Sequence, residues 1–235
     1  EDGNKGYEGH FKNGNLVSAS VWKPDGEPCP LTKIVDGLGI LVKYYDSGKK
    51  KEEIHFKNGK ANGLYTMWWK NGKKKEEIHL KNGKADGLIT LWDIKGRMKS
   101  ETHNKNSKVD GLVTKYYSNG QKYSEEHYKN GKKDGLETWW RESGQKHYET
   151  HWKNGKKDGL ETWWHENGKK WRELHYKNDE QVDLTAYWYE NGIKTSEGHI
   201  KNEQQDGLWT FWDENGNKTK EIQYKDGEEV SRKEF

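Results

Sequence analysis

The chain is short of the residues that staple, stiffen or anchor a protein. Its one cysteine, Cys29, excludes an internal disulfide framework and a cysteine-based zinc site. Three prolines are too few to set its reversals, so the turns must rest on the 27 glycines and on asparagine. No stretch approaches the ~20 apolar residues of a membrane helix, and no signal peptide is visible. Hydrophobic residues make up only 29% of the chain against 34% charged, a balance that by itself points to disorder. Net charge is scarce too, at +3 from 42 basic and 39 acidic residues. Lysine runs such as Lys49–Lys51 and Lys73–Lys75 are each followed by a glutamate pair. They read as solvated strand faces, and nucleic acid is not the expected partner.

What the chain does have is aromatic residues and a period. Thirteen Trp and thirteen Tyr argue against disorder. They fit a thin fold built on aromatic ladders rather than a deep aliphatic core. Gly48, Gly72, Gly96 and Gly120 begin a series that runs to Gly216 in steps of 24 without a slip. Tyr44, Trp68 and Trp92, Glu53, Glu77 and Glu101, and His55, His79 and His103 open series with the same step. Such self-similarity marks a repeat architecture. Eight 24-residue units fill residues 39–230, followed by a tail at 231–235. Upstream, His10–Gly14 copies His55–Gly59, and Glu27–Gly37 is an irregular insertion, so residues 1–38 read as a degenerate capping repeat.

Within a unit, the β-formers Leu64–Trp69 lead into Asn71-Gly72, and Lys73–Lys81 leads into Asn82-Gly83. Asn-Gly favours a type I′ hairpin turn, and within this unit no interval between glycines is long enough for a stable helix. The expected fold class is all-β: an elongated single-layer antiparallel β-meander of tandem 24-residue hairpin repeats. Pairing across Asn71-Gly72 sets Trp68 opposite Lys75, Thr66 opposite Glu77 and Leu64 opposite His79. Pairing across Asn82-Gly83 sets His79 opposite Asp86 and Glu77 opposite Leu88. Alternation then collects the most regular positions on one face. The two arms differ by two residues, which predicts a bulge at Asp86-Gly87 or a shear at each repeat.

The unit Asp158-Gly159-Leu160-Glu161-Thr162-Trp163-Trp164-His165-Glu166-Asn167-Gly168-Lys169-Lys170, followed by Glu173, His175-Tyr176 and Lys177-Asn178, resembles the bacterial variant of the MORN repeat. Proteins of this kind are often labelled antitoxin components of toxin–antitoxin systems. The resemblance covers residues 39–230 and, loosely, the cap. It implies elongated β-meanders, no catalytic residues and no cofactor. It also implies roles in protein association or at membranes and cell envelopes, and so a secreted or envelope setting. Val182-Asp183-Leu184 departs from the usual Asp-Gly, and Asp179 and Glu203 replace turn glycines. Altered geometry is expected over residues 178–206.

Glu-x-His with a nearby Asp suggests a proton shuttle or metal site at Glu77, His79 and Asp86. It recurs in most units, however, and equivalent histidines lie roughly 10 Å apart, too far to share a zinc. The expected role is a structural ladder in which His bonds Asp or Glu across strands, formed by Trp68, Glu77, His79, Trp140, Glu149, His151, Trp164, Glu173 and His175. On the opposite, variable face an apolar stripe runs through Trp139, Trp152, Trp163, Tyr176, Tyr187, Phe211 and Tyr224. It is either an exposed interface or a thin core covered by sheet twist and lysine stems. No nucleophile elbow, P-loop or metal triad appears, so no catalytic residue is expected. The expected function is a non-enzymatic scaffold that binds a protein partner or a second copy. Glycan or cell-wall binding and neutralisation of a toxin remain the alternatives.

Overall fold

The computed structural model describes residues 6–235, and every regular element in it is a β-strand. The first of two compact units, Glu1–Gly120, carries ten strands from β1 (Tyr7–Lys12) to β10 (Lys108–Tyr116). The second, Gln121–Phe235, carries ten more, from β11 (Lys122–Lys129) to β20 (Glu228–Glu234). Within each unit every strand pairs antiparallel with the next in sequence. Each is therefore an all-β meander of tandem hairpins. Residues 1–5 of the expected cap lie outside the described residues. The expected tail mostly forms the end of β20, paired to β19 (Lys218–Lys225).

The two Asn-Gly turns of a repeat differ. Between β7 (Lys74–Lys81) and β8 (Lys84–Trp92), Asn82 and Gly83 both have positive φ, 51° and 79°. This is the two-residue type I′ turn, whose twist matches that of the strands it joins. Between β6 (Lys60–Trp68) and β7 only Gly72 is left-handed, at φ 91°. Gly72 N–H donates to the Trp69 carbonyl at 2.8 Å, and Trp69 N–H to the Lys73 carbonyl at 2.8 Å. This is a three-residue loop, a type I turn closed by a glycine bulge. Here the asparagine side chain is bonded on both sides: Asn71 Oδ1 accepts the Lys73 N–H (3.0 Å) and Nδ2 donates to the Ile94 carbonyl of the next repeat (2.7 Å). The same loop closes at Lys95-Gly96 and Ser143-Gly144 without asparagine.

These turns set the register. Leu64 faces His79 and Thr66 faces Glu77, as expected, but Trp68 pairs with Lys74 rather than Lys75, because the loop ejects one residue. Across the type I′ turn Glu77 faces Thr90, not Leu88, and the pairing of His79 with Asp86 is lost. The two surplus residues collect in a single bulge at Asp86–Leu88, which keeps the facing unchanged on both sides. Gly87 adopts φ 125°, and a Cβ there would lie 2.9 Å from the Cβ of His79, so the bulge demands glycine twice over.

The region of altered sequence keeps its turns. Asn178-Asp179 and Asn202-Glu203 hold the same left-handed pairs without glycine, at φ 52° and 75°, and 50° and 62°. The bulge moves by one pair instead. His175 pairs with Val182, and His199 with Asp206. A depression of about 480 Å³ opens there, bounded in part by Val182, Asp183, Ile200 and Glu203.

In the first unit the irregular insertion supplies β3 (Lys33–Val35) and closes an aliphatic core of Leu16, Val21, Ile34, Leu41 and Val42 around Cys29.

Candidate functional site

The regular face is a set of side-chain ladders, and its chemistry differs from the expectation at histidine. His79, His103, His127, His151 and His175 each place Nδ1 within 2.8–3.1 Å of the carbonyl of the bulge leucine, Leu88 to Leu184. A carbonyl only accepts, so each Nδ1 carries the proton. The imidazole therefore staples the bulge carbonyl left unpaired by the ladder, in place of bonding Asp or Glu. Asp86 turns the other way and accepts the Asn106 N–H of the next turn at 3.2 Å. His55 differs, with Nε2 3.5 Å from Glu53.

Trp and Glu are joined by a residue that the sequence reading does not single out. Lys74 Nζ lies 2.6 Å from Glu77 and 5.6 Å from the ring centre of Trp92. Lys146 bridges Glu149 and Trp164 at 2.5 and 5.5 Å, and Lys170 bridges Glu173 and Trp188. Lys50 does the same between Glu53 and Trp68, and Lys122 between Glu125 and Trp140. Each is an ion pair set on an aromatic face. Met98 occupies the lysine position once, and there the Tyr116 hydroxyl donates to Glu101 at 2.7 Å. A second series crosses from repeat to repeat. Tyr45 donates to the Trp68 carbonyl and Trp69 to that of Trp92; Arg141, His165 and Tyr189 do so to those of Trp164, Trp188 and Trp212.

On the variable face Trp139, Trp152, Trp163, Tyr176, Tyr187, Phe211 and Tyr224 are all half-buried. They form two rows. One follows the pairs Trp139–Tyr148, Tyr148–Trp163, Trp163–Arg172 and Arg172–Tyr187. Trp152 and Tyr176 belong to the other, opposite Lys157 and Gln181. Between them runs a central row in which Glu126 faces Glu137, Glu137 faces Thr150, and Thr150 faces Glu161. These carboxylates are buried, at 3%, 3% and 1% exposure.

Burial of charge is costly unless every lone pair is met, and here the aromatic rows meet them. Glu137 accepts from the indoles of Trp139 (2.7 Å) and Trp152 (2.5 Å) and pairs with Lys133 at 2.7 Å. Glu161 accepts from Trp163 (2.8 Å) and Tyr148 (3.1 Å) and pairs with Lys157 at 2.5 Å. Glu126 takes the Tyr128 hydroxyl at 2.9 Å, with Lys133 at 3.3 Å. Burial and then the Glu126 bond push the Tyr128 phenol up to about 12. The Tyr148 phenol is pushed up too, by burial first and the Glu161 charge second. Farther along, the central row turns apolar. Gly198 leaves room for the Trp209 indole, which a Cβ would meet at 2.3 Å, and Trp209 is 3% exposed.

The most open aromatic on this side of the second unit is one that the sequence reading omits. Trp171 is 41% exposed. It meets Trp163 edge-on at 6.2 Å, with the Arg172 guanidinium 4.8 Å from the Trp163 ring and 5.1 Å from its own. Its position is the residue ejected by the three-residue loop, occupied by Lys75 in the first unit, where Lys75 caps Trp69 at 4.9 Å.

Among the described residues no group of three His, Cys, Asp or Glu is placed to hold a metal, and no helix is long and apolar enough to cross a membrane. A comparison with curated proteins found no match. The family model described as the MORN repeat variant matches residues 38–58, 61–82, 109–130, 133–154, 157–178 and 205–226. The match lapses over the repeat that carries Met98 and over the one in which Val182-Asp183 replaces Asp-Gly. The matched segments span more than half of the sequence and follow the hairpins described above; the chain belongs to the MORN repeat variant family.

Proposed function

We propose that the protein is a non-enzymatic repeat scaffold that binds a protein partner, and that the contact centres on Trp171, Arg172, Trp163 and Tyr148 in the second unit. The observation that carries this reading is the exposure of Trp171 beside a guanidinium and two further rings. Trp, Tyr and Arg in one patch are the side chains that dominate protein interfaces, and their support from buried carboxylates fixes them before a partner arrives. Repetition speaks against catalysis. The acid–base groups recur in unit after unit, each tied to a structural partner, whereas Trp171 occurs once.

The indole N–H groups of Trp139, Trp152 and Trp163 are all directed inward to glutamate. That leaves ring surface rather than polar edges for contact, and so favours protein over glycan. The test is sedimentation of the full chain across a concentration series, alone and with products of neighbouring genes, together with Trp171→Ala. Assembly lost in Trp171→Ala at unchanged melting temperature supports the proposal. A monomer that binds no neighbour, or assembly indifferent to Trp171, overturns it.

A further inference from the structure

The type I′ turns end in lysine on both arms. In the first unit Lys57 faces Lys60, Lys81 faces Lys84 and Lys105 faces Lys108. In the second, Lys129 faces Lys132 and Lys153 faces Lys156. All ten are exposed, and among the described residues none has an acidic partner. Like charges set directly opposite one another weaken a sheet. The last three hairpins show that the fold does not require them. Lys177 faces Glu180, Lys201 faces Gln204 and Lys225 faces Glu228 at the same turn position. Five consecutive hairpins therefore carry a repulsion that the following three have shed.

Each lysine pair shares its face with a histidine, and within each unit the pairs recur once per hairpin, on the order of 10 Å apart. The counter-charge is incomplete. The bulge aspartates Asp86 and Asp134 sit behind the next turn and spend an oxygen on a backbone N–H, so each hairpin offers two ammonium groups against one carboxylate. Lysine is a compact point charge that binds phosphate without demanding a fixed bidentate geometry, which suits a repeating polymer. No Trp, Tyr or Phe stands on this face beside the lysines to stack a base, and the rings of His79, His103, His127 and His151 there are held on the bulge carbonyls.

We infer that each of these lysine margins, residues 57–108 in the first unit and 129–156 in the second, binds a linear phosphate polymer that lacks bases. The contact is separate from the aromatic patch of the second unit and stands or falls without it. The test is calorimetric titration of the full chain with inorganic polyphosphate, with poly(glycerol phosphate), and with single-stranded DNA matched for charge, at low and moderate salt. Binding to either base-free polymer that falls linearly with the logarithm of salt concentration is expected, and the tighter of the two names the source.

Lys60→Glu, Lys84→Glu and Lys108→Glu together rebuild the pairing of Lys177 with Glu180. Affinity should fall about tenfold or more while the melting temperature holds or rises. The opposite exchange, Glu180→Lys with Glu228→Lys, extends the lysine series and should raise affinity. Absence of binding at low salt, indifference to both exchanges, or DNA bound as tightly as polyphosphate would overturn the inference.

Discussion

The same row of the sheet is filled in opposite ways in the two units. In the first, Leu41 faces Ile54, Ile54 faces Tyr65, Tyr65 faces Ile78 and Ile78 faces Ile89. In the second, Glu126, Glu137, Thr150 and Glu161 stand in the corresponding places. The flanking position four residues before the central one changes in step. It is Ala61, Ala85 and Val109 in the first unit, and Lys133 and Lys157 in the second. Carbon is paired with carbon, and a buried carboxylate with an ammonium. A single-layer hairpin array can thus be closed over by aliphatic side chains alone, or by an acid that gathers indoles, a phenol and a lysine around itself. The second solution costs desolvation, and in return it orients large aromatic rings at defined angles.

That contrast can be broken deliberately. Lys157→Ala should destabilise the second unit by about 3–5 kcal/mol, because it strips buried Glu161 of its close ammonium and leaves only the Arg172 guanidinium, 3.9 Å away. The combined Lys157→Ala and Glu161→Ile change imports the aliphatic pattern and should recover more than half of that loss. Chemical denaturation of both variants checks it, and equal losses would sink the idea that the two positions act as one. Trp209→Ala, in the apolar stretch of the second unit, should cost about 3–5 kcal/mol, as a large buried ring does wherever it packs. His79→Ala removes the bond from an exposed imidazole to the Leu88 carbonyl of a half-buried bulge. The cost should be about 0.5–1.5 kcal/mol, and hydrogen exchange should quicken around Leu88. The remaining effect is one of pH. The Tyr128 phenol ionises about two units higher in the fold than its ordinary 10.0, so the folded state favours the neutral form. Its contribution is complete below about 10 and is lost as the pH rises to about 12. An ultraviolet titration that finds every tyrosine ionising together would refute it.

Much of this fold is legible in sequence because repetition averages over local ambiguity. The recurrence of Asn-Gly and of Glu-x-His leaves little freedom in strand order, in which face is regular, or in where the bulge falls. Register near the loops is less accessible. The same Asn-Gly dipeptide makes a type I′ turn at Asn82 and a three-residue loop at Asn71. The three-residue loop also closes at Lys95-Gly96 and Ser143-Gly144, so the dipeptide does not make the choice. The role of histidine was masked because its partner is a carbonyl freed by the bulge, and carbonyls are silent in a sequence. The buried glutamates were hidden by their type, as acids are read as solvent-facing by default. One signal was available. Lys133 with Glu137, and Lys157 with Glu161, appear only in the units where the central aliphatic residue is missing. The stripe from Trp139 to Tyr224 is located on one face, but composition alone could not divide it into two rows around a central one.

The bonds at the loop rim join a residue to a carbonyl 23 positions ahead, from Tyr45 to Trp68 and again from Tyr189 to Trp212. Any number of whole copies satisfies that rule. Removing or duplicating 24 residues inside a unit would bring the same donors to the same acceptors, whereas a gain of one residue fewer or more would strand every bond at the joint. Such a chain can lengthen or shorten only in complete steps, and copy number becomes a heritable dimension of the molecule.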